Sequence, residues 1–426
     1  MERIGKYEVR RLLGAGATSN VYLGYDPFAQ REVAIKQLHP EMLRVTDHTT
    51  LYHHMLLNEA SLAGKLQHPH IIQIHDAVID ERDAYVVMEY VPGGTLEAFT
   101  QPDHLLPSER LVEIIFKCTR ALDYAYLHGV THRDIKPANI LLVSPEGQDI
   151  KISDFGAAIF TATETTQLTT LGSPAYMSPE QVREQPLDHR TDIYSLGVVM
   201  YQLLTGRLPF ESTSNVGLIY QIVHETPPPP SSIRPEIPPE LDAIVCKAMS
   251  RDVAGRYATW LEFSHDLAQA YRNRGLTTAP HEMPDSEKFE RLRAFRFFRE
   301  FTDVEIWEIV RFAEWRQFPP DSVVMKEGEP GNYFCFVVEG AMRIVKKGHL
   351  LNTLSPGDCF GEMALFAAGR GARTASVETI SETRILTIRA PALLRATSLC
   401  QMHFYKGFLE VLASRLSLAN SRIANV

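Results

Sequence analysis

Two carboxylates, a lysine and an amide side chain are spaced closely enough along this sequence to act on one phosphoryl group. Residues 132–139 read His-Arg-Asp-Ile-Lys-Pro-Ala-Asn, and an Asp-Phe-Gly sequence begins at Asp154. Asp134 can accept the proton of an attacking hydroxyl, and Lys136 can neutralise negative charge on the transferred group. Asn139 and Asp154 offer the oxygen ligands that Mg²⁺ prefers. The pattern predicts transfer of a nucleotide phosphoryl group to a hydroxyl without a covalent enzyme intermediate.

A glycine-containing turn near the N-terminus is suited to holding the phosphates of that nucleotide. Residues 14–21 read Gly-Ala-Gly-Ala-Thr-Ser-Asn-Val and lie between two predicted strands. Glycine lets the backbone approach phosphate oxygens and direct N–H groups at them. Turns of small residues between strands are common, so this turn indicates a phosphate-binding site only in combination with the motifs that follow it.

The elements that must position these motifs follow from the periodicity of the apolar residues. Alternation of apolar and polar residues from 7 to 38, broken by glycines, predicts a twisted antiparallel sheet. Helical spacing predicts a helix over residues 50–66, and strands are expected near residues 71–79 and 84–91.

Helices are expected to dominate from Ser108 to Asn273. Ser108 is the predicted N-cap of a helix that runs to His128. The apolar stretch 194–204 is shorter than the roughly 20 residues that cross a bilayer, so it predicts a buried core helix. Residues 220–241 are dense in proline and predict an extended loop.

Residues 7–273 resemble the eukaryotic-type protein kinase family along their whole length. The resemblance rests on the glycine-containing turn, Val-Ala-Ile-Lys at 33–36, the two motifs that contain Asp134 and Asp154, and Gly-Ser-Pro-Ala-Tyr-Met-Ser-Pro-Glu at 172–180. It implies a two-lobed α+β fold, with ATP and Mg²⁺ as cofactors. Lys136 after His-Arg-Asp is the pattern of serine/threonine kinases, so serine and threonine hydroxyls of proteins are the implied acceptors.

The resemblance also implies a role for each matched residue. Lys36 would contact the ATP phosphates and pair with Glu59 on the predicted helix, a better partner by position than Glu32 or Glu41. Met88 would be the gatekeeper, with the backbones of Glu89 and Val91 hydrogen-bonded to adenine. The implied ATP-binding residues are Leu13, Gly14, Gly16, Ser19, Val21, Ala34, Lys36, Met88, Glu89 and Val91.

Further matches concern support and activation of the catalytic loop. In relatives, an aspartate at the position of Asp192 braces that loop, and an arginine like Arg256 pairs with the residue matching Glu180. Thr169 and Thr170 are candidate autophosphorylation sites whose phosphate would bind Arg133.

The sequence departs from the family pattern at three positions. Ser19 replaces the third glycine of the turn, Ser173 replaces a usual threonine, and Ile159 stands where many relatives carry a basic residue that helps to hold the activating phosphate. Arg133 is then the one evident basic partner for a phosphate in the sequence.

The C-terminal third contains motifs that suit ligand binding and not phosphoryl transfer. Residues 357–365 read Gly-Asp-Cys-Phe-Gly-Glu-Met-Ala-Leu, and Arg-Thr-Ala-Ser-Val begins at Arg373. A buried glutamate suits a ribose hydroxyl, while one arginine and the free N–H groups of a short helix suit a cyclic phosphodiester. These residues resemble the phosphate-binding cassette of the cyclic-nucleotide-binding domain family, which implies a β jelly roll with flanking helices.

On that resemblance Glu362 would bind the ribose and Arg373 the cyclic phosphate, with Arg370 as the alternative because the intervening loop is long. The predicted site residues are Gly361, Glu362, Ala364, Arg373, Thr374 and Ala375. Relatives that bind either base carry a hydroxyl at the position of Thr374, so cAMP and cGMP both stay open.

Composition limits the partners. The chain has 426 residues, a formal net charge of −9 and five cysteines without metal-type spacing. Such a charge does not favour nucleic acid or an anionic membrane. We expect no membrane span, a cytoplasmic location and free, mostly buried thiols. An apolar stripe on the last helix, formed by Phe404, Phe408, Leu412 and Leu416, is compatible with a homodimer.

The sequence therefore predicts a bilobal α+β protein kinase fold followed by a mainly β jelly roll with flanking helices. The expected boundaries are 1–90 and 91–274 for the two kinase lobes, 275–286 for a linker and 287–426 for the second domain. The predicted function is a protein serine/threonine kinase regulated by a cyclic nucleotide. Two alternatives stay open, namely a constitutive kinase whose jelly roll only mediates oligomerisation and a non-catalytic pseudokinase scaffold.

Overall fold

The chain folds into two compact units, residues 1–278 and 279–426. The computed structural model describes residues 3–16, 18–39, 65–79, 84–155, 159–160, 174–273, 283–363 and 372–424. The first described helix of the second unit begins at Asp285, two residues before the predicted domain start at 287.

An antiparallel sheet opens the first unit. Its strands are β1 (Arg3–Ile4), β2 (Tyr7–Ala15), β3 (Ser19–Asp26), β4 (Arg31–Leu38), β5 (Ile74–Ile79) and β6 (Ala84–Glu89), in the order β1-β2-β3-β4-β6-β5. Alternate residues of β4 face opposite sides: Val33 and Ile35 pack with Tyr85, whereas Ala34 packs with Met88. The expected sheet is confirmed, although β5 begins three residues later and β6 ends two residues earlier than predicted.

Helices are the longest regular elements in the described part of the first unit after β6. They are α1 (Ser108–Leu127), α2 (Pro179–Val182), α3 (Arg190–Thr205), α4 (Asn215–His224), α5 (Pro239–Ala248) and α6 (Trp260–Asn273). All of α3 from Thr191 to Thr205 is buried, which confirms the predicted core helix.

Two local predictions in this unit are wrong. Pro107, not Ser108, occupies the N-cap of α1, and no side chain caps this end. The predicted loop 220–241 begins inside α4 and ends inside α5, since α4 continues to His224 and Pro239 starts α5. Proline is compatible with the first turn of a helix because the N–H it lacks would have no partner there.

Short strands connect the helices near the predicted catalytic residues. They are β7 (Val130–Thr131), β8 (Ile140–Leu142), β9 (Ile150–Ile152) and β10 (Ile159–Phe160). The pairs β8–β9 and β7–β10 are antiparallel, with Ile140 opposite Ile152 and Thr131 opposite Ile159.

The second unit contains two four-stranded antiparallel sheets of the jelly-roll type, with flanking helices, as predicted. Its strands are β11 (Glu314–Phe318), β12 (Val323–Met325), β13 (Tyr333–Glu339), β14 (Met342–Lys346), β15 (His349–Leu354), β16 (Cys359–Phe360), β17 (Ser376–Thr379) and β18 (Thr383–Arg389). The sheet orders are β11-β18-β13-β16 and β12-β17-β14-β15. Its helices are α7 (Asp285–Ala294), α8 (Asp303–Phe312), α9 (Ala390–Leu393) and α10 (Ser398–Ala424).

The terminal helix α10 contacts the jelly roll through aromatic side chains. Phe404 and Phe408 are fully buried, and both rings lie against Phe334 of β13. Leu412 is half-buried and Leu416 is 63% exposed, so only the first half of the predicted apolar stripe is buried in this unit. All five cysteines are free and four are buried, as expected.

Candidate functional site

A buried carboxylate fixes the start of the loop of residues 132–139 through backbone hydrogen bonds. Asp192, in the first turn of α3, accepts the backbone N–H of His132 and of Arg133 at 2.7 Å each. The ring of His132 lies 2.9 Å from the Ser153 carbonyl and contacts Phe155 at 4.5 Å between centroids. Arg133 and Asp154 both have positive φ, 66° and 65°, an uncommon conformation that recurs at functional sites.

The β8–β9 ribbon brings Asn139 and Asp154 to the same end. Asn139 directly precedes β8, and Asp154 lies two residues after β9. Because the strands are antiparallel, the start of one lies beside the end of the other. A hydrogen bond from the Ser153 N–H to the Asn139 carbonyl, 2.9 Å long, joins them.

Three predicted catalytic and metal-binding side chains form one hydrogen-bonded cluster. The Lys136 ammonium lies 2.7 Å from Oδ2 of Asp134, and the Asn139 amide nitrogen donates to the same oxygen at 3.0 Å. That nitrogen also donates to the Asp134 carbonyl at 2.8 Å. Since the amide nitrogen is engaged, Oδ1 of Asn139 is the atom suited to a cation.

A second ion pair connects the sheet to this cluster. Lys36 Nζ lies 2.6 Å from Oδ1 of Asp154, although the two residues are 118 positions apart. Burial alone would raise the pKa of Asp154, but the charge of Lys36 and its hydrogen bond outweigh this and hold the pKa below its usual value. Asp154 is therefore ionised at neutral pH, as a cation ligand must be.

The residues present fit a magnesium nucleotide. Within the described ranges, no group of three or more His, Cys, Asp or Glu side chains could hold a metal ion by itself. Asn139 and Asp154 would supply two oxygen ligands, and Mg²⁺ commonly completes such a site with phosphate oxygens and water.

An apolar cluster lies on the face of the sheet that includes Ala34. Ala34 is paired with Met88 across β4 and β6, and Leu13, Val21 and Val91 pack against them. This half-buried apolar set is suited to the two faces of a purine ring. Glu89 donates its own N–H to the Gln73 carbonyl at 2.9 Å, so its contribution to an adenine contact would come from its carbonyl oxygen.

Sequence reasoning missed Leu141, which packs against the same cluster from β8. Its neighbours Ile140 and Leu142 are fully buried, whereas Leu141 is half-exposed on the opposite face of the strand. The strand has only three residues, too few for its alternation to be recognised in the sequence, so no sequence signal indicated Leu141.

The glycine-containing turn lies between β2 and β3, as predicted, and its backbone is closed by a hydrogen bond. The Gly16 N–H donates to the Ser19 carbonyl at 2.8 Å, and Gly14 pairs with Val21 across β2 and β3. A Cβ on Gly14 would meet no atom within 4 Å, so the space beside it is open to a large group.

A buried ion pair fastens the end of the 172–180 segment to the helices. Arg256 donates from both terminal nitrogens to Glu180, at 2.6 and 2.7 Å, with side-chain exposures of 0% and 7%. Such a fork-shaped pair fixes both position and direction.

Several predicted residues lie outside the described part of the chain. They are Glu59, Thr169, Thr170, Ala364 and the alternative arginine Arg370. Their assigned roles stay predictions.

In the second unit, Arg373 is enclosed by backbone groups and an aromatic ring. Its terminal nitrogens donate to the carbonyls of Gly361 and Tyr333 at 3.0 and 2.8 Å, and its guanidinium lies 4.4 Å from the Tyr333 ring centroid. A Cβ on Gly331 would lie 2.2 Å from Arg373 Cζ, so glycine is required for this approach. The guanidinium carries five N–H donors, and two carbonyl bonds leave donors for an anion.

Glu362 directly follows Gly361 and is 2% exposed. Its Oε1 accepts a hydrogen bond of 2.7 Å from Arg415 of α10, a residue that the sequence had not suggested. Thr374 is exposed and Ala375 is half-buried, and both lie just before β17.

Comparison with known families agrees with this geometry. A family model described as "Protein kinase domain" matches residues 7–267. The chain belongs to the protein kinase family. A second model, described as "Cyclic nucleotide-binding domain", matches residues 315–398, which include Glu362 and Arg373.

Bacterial serine/threonine kinases are among the curated relatives that this chain matches. The chain is 36% identical over 297 residues to "Serine/threonine-protein kinase PknB" of Mycolicibacterium smegmatis, covering 68% of this chain and 46% of that protein. The Mycobacterium leprae protein of the same name is 36% identical over 290 residues, covering 66% and 46%. The chain thus spans less than half the length of these relatives. No helix among the described residues combines the length and apolarity that crossing a membrane requires.

Proposed function

We propose that this chain transfers the γ-phosphoryl group of ATP to serine and threonine hydroxyls of proteins. The observation that carries the proposal is the cluster of Asp134, Lys136 and Asn139, beside an Asp154 that is paired with Lys36. The similarity to bacterial serine/threonine kinases supports the acceptor class.

In the proposed reaction, the hydroxyl oxygen of the acceptor forms a bond to the γ-phosphorus while the bond from that phosphorus to the bridging oxygen of ADP breaks. Asp134 accepts the hydroxyl proton and holds the hydroxyl in line. Lys136 offsets charge on the transferred group, and Lys36 holds the ATP phosphates. Mg²⁺, held by Asn139 and Asp154, would neutralise phosphate charge.

The reaction is tested by autophosphorylation with Mg-ATP. The wild-type chain is expected to become labelled, whereas Asp134→Ala is expected to lose labelling. Asp103→Ala changes an exposed aspartate of the same unit and serves as the matched control. Equal and near-zero labelling of wild type and Asp134→Ala would favour the pseudokinase scaffold.

We further propose that the second unit binds a cyclic nucleotide and that binding changes kinase activity. Glu362 would accept the ribose 2′-hydroxyl, and Arg373 would bind the cyclic phosphate, with Gly361, Ala364, Thr374 and Ala375 beside them. The enclosed guanidinium of Arg373, only 6% exposed, supports the anion site. Coupling between two ligand sites is typically about 1–3 kcal/mol, which corresponds to a change of roughly 5- to 150-fold.

Calorimetric titration of the full chain with cAMP and with cGMP tests this second proposal. Heat is expected with at least one nucleotide, and Arg373→Ala is expected to lose it. Arg384→Ala, on strand β18 of the same unit, is the matched control. No heat with either nucleotide, or nucleotide binding without any change in kinase activity, favours the constitutive kinase with an oligomerising jelly roll.

Activation by phosphate at Thr169 or Thr170 also stays a proposal. Arg133 supports it, because its buried Nε has no hydrogen-bond partner within the described residues. A cytoplasmic location and a homodimer stay predictions.

A further inference from the structure

An ion pair joins the terminal helix α10 to the predicted ribose site. Arg415 lies 53 residues after Glu362, and its Nη1 is 2.7 Å from Glu362 Oε1. Its Nη2 donates to the carbonyl of Cys359, the first residue of β16. One guanidinium therefore holds both strand β16 and the carboxylate of Glu362, which lies two residues after that strand.

This contact leaves half of the Glu362 carboxylate available. Arg415 uses Oε1, and Oε2 has no hydrogen-bond partner among the residues that the structure describes. A carboxylate with 2% exposure needs hydrogen-bond partners, because burial without them is costly. Oε2 can therefore accept a hydrogen bond from a hydroxyl group while Oε1 stays with Arg415.

Arg415 lies on the same face of α10 as the aromatic residues that contact the jelly roll, so its contact with Glu362 helps to position the helix. Arg415 lies seven residues after the fully buried Phe408, which is about two helical turns and thus the same face. The next residue, Leu416, is 63% exposed. None of the side chains from 409 to 417 is fully buried, in contrast to Phe404 and Phe408, so a polar contact has more weight in positioning this part of the helix.

We propose that Arg415 is a positioning residue that couples ribose binding to the terminal helix. It orients Glu362 so that Oε2 receives the 2′-hydroxyl, and the bound ribose in turn stabilises the contact between Arg415 and the cassette. Such coupling is reciprocal by thermodynamic necessity. The proposal rests on the cyclic-nucleotide binding proposed above and adds the residue through which the helix responds to it.

The 2′-hydroxyl of the ligand gives the sharpest test, since it is the one group that Glu362 is proposed to bind. A hydrogen bond to a charged group corresponds to a preference of about 10- to 100-fold, so the wild-type chain is expected to favour the ribonucleotide over its 2′-deoxy analogue by that factor. Arg415→Met is expected to lower this preference to below about 3-fold, while affinity for the 2′-deoxy analogue changes little. Arg415→Lys keeps the charge without the fork and is expected to lie between them.

The experiment is calorimetric titration of the full-length chain with cAMP, cGMP and their 2′-deoxy analogues. Lys406→Met is the matched control, because Lys406 lies on the same helix in an exposed pair with Glu300. Hydrogen exchange of residues 409–424 adds a second measurement. Ribonucleotide is expected to protect these amides in wild type and in Lys406→Met, but not in Arg415→Met.

Each outcome decides between the two proposals. If wild type binds none of the nucleotides, the proposed nucleotide binding and this inference both fail. If wild type binds the ribonucleotide and Arg415→Met keeps the full preference for it, the positioning role is wrong and nucleotide binding stands. A gain of ribonucleotide affinity in Arg415→Met would show instead that Arg415 competes with the ligand, which also overturns the inference.

Discussion

Asp192 accepts the backbone N–H of Arg133 at 2.7 Å, so a helix residue fixes the loop that contains Asp134 although the two segments are far apart in sequence. The same carboxylate accepts the N–H of His132. Burial raises the pKa of Asp192, which the N–H bonds and neighbouring positive charges oppose. The position of the proposed catalytic base thus depends on a side chain that has no proposed contact with the reacting groups.

Asp192→Asn replaces one of the two acceptor oxygens by an amide that cannot accept an N–H. The loop is expected to shift, and displacement of a catalytic group by about 1 Å can lower kcat by about 100-fold. The KM for ATP is expected to change little, because the apolar cluster around Ala34 is not affected. Steady-state kinetics measure both values, with Asp103→Asn as control. A rise in KM with unchanged kcat would contradict the positioning role.

The pair of Lys36 and Asp154 predicts a pH-dependent contribution to stability. Lys36 lowers the folded-state pKa of Asp154. This contribution is therefore fully present above the unfolded aspartate pKa of about 3.9 and is lost as pH falls through the lowered folded value. Lys36→Met is expected to reduce the free energy of unfolding at pH 7, and the difference from wild type is expected to shrink toward strongly acidic pH.

Urea unfolding of wild type and Lys36→Met over a pH series measures this difference. Lys247→Met alters an exposed lysine 3.8 Å from Asp266 and is the matched control, with little effect expected at any pH. A difference for Lys36→Met that is constant with pH would mean that the ion pair does not stabilise the fold.

The buried pair of Glu180 and Arg256 predicts a large loss of stability when one partner is removed. Arg256→Met leaves a buried carboxylate without its counter-ion, which typically costs about 3–5 kcal/mol. The double variant Glu180→Gln with Arg256→Met removes that charge and is expected to be more stable than Arg256→Met alone. Arg10→Met breaks an exposed pair with Glu32 and is expected to cost at most about 1 kcal/mol. Chemical denaturation ranks the variants, and a double variant less stable than Arg256→Met would refute this explanation.

The close contact between Gly331 and Arg373 predicts that adding one methyl group, in Gly331→Ala, weakens nucleotide binding. The added Cβ of Gly331→Ala would lie 2.2 Å from Arg373 Cζ, so the guanidinium must move. We expect affinity for the cyclic nucleotide to fall by at least about 10-fold, which corresponds to about 1.4 kcal/mol. Gly348→Asn is the control, because that turn has open space and asparagine tolerates its positive φ of 82°. Unchanged affinity in Gly331→Ala would argue against Arg373 as the anion site.

The motifs predicted both domains because their chemistry depends on short, ordered spacings. Asp134, Lys136 and Asn139 lie within six residues, and the bends of one loop bring them together. The jelly roll was also predictable, since its turns fall at regular intervals. Helix limits were less predictable: proline counts assigned residues 220–224 to a loop, but the helix that begins at Asn215 with a Ser214 cap continues through them.

Contacts between distant residues were predicted only where the family resemblance implied them, as for Glu180 and Arg256. Arg415 reaches Glu362 across 53 residues, and nothing in the local sequence of a helix indicates where its side chain ends. Leu141 was missed because a three-residue strand is too short for its alternation to be informative. The sequence shows the apolar stripe from Phe404 to Leu416, but it does not show how far the jelly roll extends along the helix. Phe404 is therefore buried and Leu416 exposed without a difference in their residue pattern.

The most direct test of the central claim is to incubate the purified chain with Mg-ATP and a peptide library that offers serine, threonine and tyrosine acceptors, and to identify the phosphorylated residues by mass spectrometry. Wild type is expected to phosphorylate serine and threonine, whereas Asp134→Asn is expected to bind ATP equally well and to phosphorylate neither. Absence of phosphopeptides with wild type, or equal phosphorylation by Asp134→Asn, would contradict the account.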